Sequence, residues 1–196
     1  MEKNRIRFLF GMAIAAGTMA AARPAAATNL LKDLATDSHG NAYYLGVSGG
    51  PQCNSQTCWI NDGTQLIIYT RSGLDQDWEF SLSGSTRIQD LESDNDNPRH
   101  SMCIDLVGFA SAGQGANAIV EPCSSASEQV WYFVAASQYQ APFPGCYVIE
   151  NAHTAEVLGV SNGTMTNGTH IIQWPLFTGT PNQDIGWHHD QFWCPQ

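Results

Sequence analysis

Basic side chains are the scarce ones in this chain: Lys and Arg total 8 against 18 Asp and Glu, for a formal net charge of −10. Four of the eight, Lys3, Arg5, Arg7 and Arg23, fall in the first 27 positions with one acid, Glu2, so the 169 residues that follow carry a net charge of −13. No cluster of cations remains to face phosphates, which excludes a nucleic-acid surface and an attraction to anionic lipid headgroups. After residue 27 there is no apolar run long enough to span a bilayer. Apolar residues recurring at helical spacing are missing as well, which argues against a helical bundle.

The amino-terminal stretch has a different character. Lys3, Arg5 and Arg7 precede an apolar run from Phe8 to Ala22 and then the small-residue segment "ARPAAAT". This pattern is that of a secretory signal peptide, residues 1–27, cleaved near Ala27 or, second in preference, Ala22. The expected localisation is therefore secreted, with no transmembrane segment in the mature chain. The remaining length suits one domain with a single core. All six cysteines, at 53, 58, 103, 123, 146 and 194, lie in it. An even number in an exported chain points to disulfides, with fifteen pairings open. Zinc is disfavoured because only Cys53 and Cys58 are close together.

What is present are short apolar runs, "AYYLGV", "QLIIYT", "DWEFSL", "MCIDLVGF", "QVWYFV", "CYVIE" and "HIIQW", separated by Gly, Asn, Ser, Thr and Pro. Rich in Ile, Val, Tyr, Phe and Trp, they predict an all-β domain. Only "NLLKDLA", residues 29–35, has room for a helical turn or two. The runs also repeat: "LGVSGG…NDGTQLIIY…LDQDW" (45–78) matches "LGVSNG…TNGTHIIQW…PNQDIGW" (158–187) in its order of features, and "CIDLVGF…GANAIVEPC…SEQVW" (103–131) follows the same plan. Unit starts at Leu45, Ile104 and Leu158 are 59 and 54 residues apart, a loose period with insertions such as "PQCNSQTCWI". Three such units can close one barrel together, which none could do alone.

Each unit carries a Gln-x-Trp near its end: Gln76-Asp77-Trp78, Gln129-Val130-Trp131 and Gln191-Phe192-Trp193. A three-fold repeat with this signature resembles the ricin B-chain type of β-trefoil lectin, over about residues 40–196. The resemblance implies three pseudo-symmetric repeats, at about 40–82, 99–135 and 144–196, with residues 28–39 as an extension. It further implies that the Trp packs in a shared core and the Gln braces the preceding turn. In the third unit, Asn182-Gln183 competes with Gln191 for that place, and the turn spacing favours Gln183, with Trp193 or Trp187 for packing. Cys103 and Cys123 stand where such repeats carry an internal disulfide, Cys146 and Cys194 bracket the third unit, and Cys53 with Cys58 closes a small loop.

A sugar site needs an acceptor for adjacent hydroxyls, an aromatic face and an orienting amide. By the resemblance these come from each repeat, as an Asp after the first strand, an aromatic at the end of the next, and an Asn beside the Gln of Gln-x-Trp. The first unit supplies Tyr69 with Asp75 and Gln76, but Gly46 stands in the Asp position. The second has Asp105, yet Glu121 and Glu128 replace the aromatic and the Asn. The third has Trp174 with Asn182 and Gln183, again with a Gly, Gly159, in the Asp position. Trp174 and Tyr69 read equally as half-buried strand aromatics, and Asp105 reads better as a hydrogen-bonded turn carboxylate. Asn61, Asp62 and His170 lie near enough in sequence to replace lost groups.

Other motifs carry less. Gly-x-Ser-x-Gly occurs around Ser48 and Ser161, but its recurrence at one repeat position marks a turn and not a nucleophile elbow, which needs a strand feeding a helix. "DLESDNDN", residues 90–97, has carboxylates for calcium but not the spacing of a calcium loop, so a solvated connection is favoured. His188-His189-Asp190 suggests a metal or an acid–base pair only if the segment is a loop, since neighbours on a strand face opposite ways. Asn162 and Asn167 each begin "NGT", which is at once a glycosylation acceptor pattern and a turn. The function expected is non-catalytic binding of a glycan or glycoconjugate, without a cofactor or metal. The alternative is a degenerate trefoil that binds a secreted protein partner, as the targeting subunit of a toxin or enzyme.

Overall fold

The computed structural model describes residues 30–50, 52–53, 58–71, 76–91 and 101–196, with only the backbone at 52, 53, 58 and 59. The expected signal peptide, Asp75 and most of the acidic stretch at 90–97 lie outside these residues.

The architecture is a β-trefoil whose three repeats each contribute four strands. The first repeat is β1 (Leu31–Thr36), β2 (Ala42–Val47), β5 (Thr64–Tyr69) and β6 (Trp78–Glu79). The second is β8 (Gln89–Asp90), β9 (Met102–Leu106), β10 (Ala118–Pro122) and β11 (Trp131–Ala135). The third is β12 (Tyr147–Asn151), β13 (Val157–Val160), β14 (Ile171–Trp174) and β15 (Trp193–Pro195). The fourth strand of each repeat pairs with the first strand of the next: β6 with β8, β11 with β12, and β15 with β1. The last pairing, with Asp33 opposite Trp193, joins the two ends of the described chain and leaves no free edge there. Outside this pattern, β7 (Ser85–Thr86) pairs with β11, while β3 (Gln52–Cys53) and β4 (Cys58–Trp59) form a separate hairpin.

Residues 31–36 correct two expectations. They form a strand and not a helical turn, and they belong to the first repeat instead of preceding it. The reason is alternation: Leu31 and Asp33 point inward with no exposed surface, and a segment this short is a poor isolated helix, so pairing on both edges decides.

Trp78, Trp131 and Trp193 are fully buried in one core with Leu45, Ile104 and Leu158. Each indole N–H donates at 3.1 Å to the carbonyl of an aliphatic residue on the second strand of its own repeat, Leu45, Ile104 or Leu158. A buried indole that kept its N–H unpaired would lose about 1–3 kcal/mol, and the same solution is used three times. Trp187 is buried too, but in a smaller cluster with Phe143 and Phe192. The third core tryptophan is thus Trp193.

Cys103 is bonded to Cys123 and Cys146 to Cys194, as the family resemblance implies. The backbone register sets Cys53 opposite Cys58; their side chains lie outside the description.

Candidate functional site

The Gln of each Gln-x-Trp works on the turn before it. Gln76 donates to the carbonyl of Tyr69 at 3.1 Å. Gln129 donates to the carbonyl of Pro122 at 3.1 Å and accepts from the N–H of Ser124 at 2.7 Å. Gln191 donates to the carbonyl of Pro175 at 3.0 Å and accepts from the N–H of Phe177 at 2.9 Å. The turn residue in the third repeat is therefore Gln191, which corrects the preference for Gln183. Gln183 is exposed, and its carbonyl receives the indole N–H of Trp187 at 3.0 Å. Neither Gln183 nor Asn182 lines the cavity that contains Trp174.

That cavity has a volume of about 390 Å³ and is built on the third repeat. Trp174 ends β14 and is half-buried; its ring is seated on Gly115, where a Cβ would stand only 3.3 Å from the ring atom Cζ3. Phe177, His188, Asp190 and Asn162 complete the polar and aromatic lining. Phe177 stacks on the His188 imidazole with centroids 4.2 Å apart and planes at 19°. His188 Nδ1 lies 3.8 Å from Asp190 Oδ1.

Asp190 supplies what Gly159 lacks. A Cβ on Gly159 would stand 3.8 Å from Asp190 Oδ2, and one on Gly163 would stand 3.7 Å from Oδ1, so the carboxylate fills room that two glycines leave open. It reaches the recess from the opposite end of the repeat. Residue 190 immediately precedes Gln191, the place where the resemblance puts an Asn. Burial raises the Asp190 pKa, while its own backbone N–H and the neighbouring His188 and His189 pull it back down. The loop conformation of 188–191 allows this convergence: residues 189–191 form a 3-10 turn and not a strand, so His188 and Asp190 face the same recess. His189 turns away to Asp184, Nε2 to Oδ1 at 2.5 Å.

Among the described residues the other repeats do not assemble such a set. Asp105 is 2% exposed and is used internally, accepting from Gln129 Nε2 at 2.8 Å and the Leu106 N–H at 2.6 Å. Burial still raises its pKa against those two bonds. Diagonally across the strands, opposite Cys103, Glu121 has its pKa raised by burial and by the charges of Asp62 and Asp105, so the second repeat concentrates acid without an aromatic face. Glu128 is buried, its carbonyl accepting from Asn151 Nδ2 at 2.7 Å. In the first repeat Tyr69 is 37% exposed, but Gln76 is buried and turned inward.

Ser48 and Ser161 both sit in turns that close β2 and β13, as the repeated motif suggests. His170 and Asn61 serve the backbone: His170 forms a bridge with Ile67, and the Asn61 carbonyl accepts from Thr64. Asn162 adopts φ 55° on the rim of the recess, and Asn167 accepts from the Thr70 N–H at 2.8 Å. Among the described residues no three His, Cys, Asp or Glu side chains are grouped to hold a metal ion.

The family model for ricin-type β-trefoil lectin domain-like proteins matches residues 74–174. No curated protein is a significant sequence match. Among solved structures, the chain is similar to ThreeFoil, a designed three-fold symmetric protein, with a TM-score of 0.60 and 25% identity over 85% of this chain and 96% of that one. It is also similar to a ricin B-like lectin of Macrolepiota procera in complex with lactose, with a TM-score of 0.56 and 15% identity over 89% and 99% of the two chains. A third similar structure is an exo-β-1,3-galactanase from Clostridium thermocellum, with a TM-score of 0.58 and 20% identity over 85% of this chain but only 30% of the enzyme.

Proposed function

Since the chain belongs to the ricin-type β-trefoil lectin domain-like family, we propose that it is a secreted, non-catalytic carbohydrate-binding protein whose principal sugar site is the third-repeat recess. The observation that carries this reading is the convergence of Asp190 and Trp174 on one cavity despite the glycine at 159. Trp174 offers a face for the apolar side of a pyranose, with Phe177 beside it. Asp190 accepts from a pair of adjacent hydroxyls, and Asn162 and His188 supply groups that set orientation. Tyr69 in the first repeat, 37% exposed, is a weaker second contact that adds avidity on a glycan-bearing surface, with Gln76 bracing it from within.

The alternative, a targeting module that docks on a protein, is favoured by Val107 and Phe109, which stand 48% and 51% exposed on the loop of the second repeat, the repeat without an aromatic sugar face.

A glycan array separates these. Retention of a glycan that falls at least tenfold in both Trp174→Ala and Asp190→Asn, about 1.4 kcal/mol or more, with the melting transition preserved, supports the third-repeat site. Recovery of the bound glycan unchanged by mass spectrometry supports the non-catalytic part. A folded protein that retains nothing on the array, and instead co-purifies with another exported protein, overturns the sugar reading.

A further inference from the structure

We infer that the third-repeat recess continues past Gly163 into a second polar cavity, so that the ligand is a neutral glycan of two or more sugar units; this deepens the carbohydrate reading and rests on it. Gly163 lines both spaces, the recess of about 390 Å³ with Trp174 and Asp190 and a neighbouring cavity of about 480 Å³. The second is formed where the turn after β1, with Asp37, Ser38 and His39, and Tyr43 of β2 meet Met165 and Thr166 of the third repeat. Both volumes are in the range of small-ligand sites. The saddle between them is a residue with no side chain, held at φ +59°.

The chemistry of the second cavity is that of a hydroxyl-rich partner. Asp37 Oδ1 accepts from the N–H groups of His39 and Asn41, both at 2.9 Å, and Oδ2 accepts from Asn41 Nδ2 at 2.8 Å and the Tyr43 hydroxyl at 3.2 Å. The Asn41 bonds, and then those of His39 and Tyr43, hold its carboxyl down at about 2. With four bonds accepted, its lone pairs are committed, so Asp37 shapes the cavity instead of gripping a ligand. The groups that meet a ligand are the Ser38 hydroxyl, 3.5 Å from His39 Nδ1, the His39 imidazole, 82% exposed, and the Thr166 hydroxyl, which shares a 2.9 Å bond with the Thr169 hydroxyl and keeps a free lone pair, with the Met165 thioether as an apolar patch. Among the described residues no Lys or Arg lines either cavity, while Asp190 and Asp37 do, which sets the pair against an acidic sugar.

The test uses an array of neutral mono-, di- and oligosaccharides of galactose, glucose and their N-acetylamino forms. The strongest binder and its terminal monosaccharide are then titrated calorimetrically into the wild type and into His39→Ala/Thr166→Val. The wild type is expected to bind the longer glycan about tenfold more tightly than the monosaccharide, a difference of about 1.4 kcal/mol. The double variant is expected to lose that advantage and to keep its affinity for the monosaccharide. Equal wild-type affinities for the two ligands, or equal losses for both in the variant, overturn the extension and leave the Trp174 recess standing. Silence of the folded wild type across the whole array overturns the recess and its extension together.

Discussion

The indole N–H of Trp193 donates to the carbonyl of Leu158 at 3.1 Å, closing inside the third repeat the same link that Trp131 and Trp78 make inside theirs. All three rings are fully buried, so no water stands ready to replace the donor. Trp193→Phe keeps most of the apolar volume and orphans one carbonyl contact, at a cost of about 1–3 kcal/mol. The expected result is a lower denaturant midpoint at unchanged slope. A midpoint equal to that of the wild type would mean that packing alone sets the role of this ring.

The disulfides close loops of different size, with sequence separations of 20 for Cys103–Cys123 and 48 for Cys146–Cys194. In the chain-entropy picture, removing the first costs about 3 kcal/mol and the second about 4 kcal/mol. Paired Cys→Ser variants, compared by chemical denaturation, should rank in that order. The reverse order would locate the effect in native packing around Cys103, which is fully buried.

Asp33 is fully buried, with Oδ1 accepting from the Ala35 N–H at 2.6 Å and Oδ2 unpartnered. Burial raises its pKa well above the usual value, with the Asp190 charge adding to the effect against the Ala35 bond. The folded protein therefore binds this proton more tightly than the unfolded chain does. Asp33's contribution to stability is fully present below the unfolded pKa, about 3.9, and is lost as pH rises through the raised folded value. Asp33→Asn retains the acceptor for Ala35 and removes the buried charge, so it should raise the melting temperature at pH 8 and lose that advantage near pH 4. A difference that stays constant across this range would mean that Asp33 binds its proton equally well in the folded and unfolded chains.

Much of this was legible before folding. The spacing of Gln76-x-Trp78 and Gln129-x-Trp131 conveys both the repeat and its core because the contacts concerned are local to each unit. The third unit was ambiguous, since Gln183 and Trp187 compete with Gln191 and Trp193 near its end and only the chain's closure on β1 selects Gln191 and Trp193. β1 itself was obscured because Leu30, Leu31 and Leu34 mimic a helical stripe, while the alternation that buries Leu31 and Asp33 depends on partners at the far end of the sequence. Asp190 was hidden for the same reason: it meets Gly159 across the fold, thirty-one residues away.

That crossing makes the missing aspartate of the third repeat unrestorable by simple replacement. A Cβ on Gly159 would stand 3.1 Å from Cγ of Gln191 and 3.4 Å from the Asp190 carbonyl, so Gly159→Asp overpacks the brace that orders the turn at 175–177, at a cost of about 1–3 kcal/mol. It also brings a second carboxylate beside Asp190, raising the pKa of at least one of them further. Stability and glycan affinity are both expected to fall, although the substitution completes the family's pattern on paper. In the Asp190→Asn background the like-charge part vanishes, so Gly159→Asp should destabilise less there, by a coupling of about 0.5–3 kcal/mol in a double-mutant cycle. Strict additivity, or a gain in glycan affinity by Gly159→Asp alone, would mean that the two carboxylate positions are independent and that Asp190 does not stand in for the absent one.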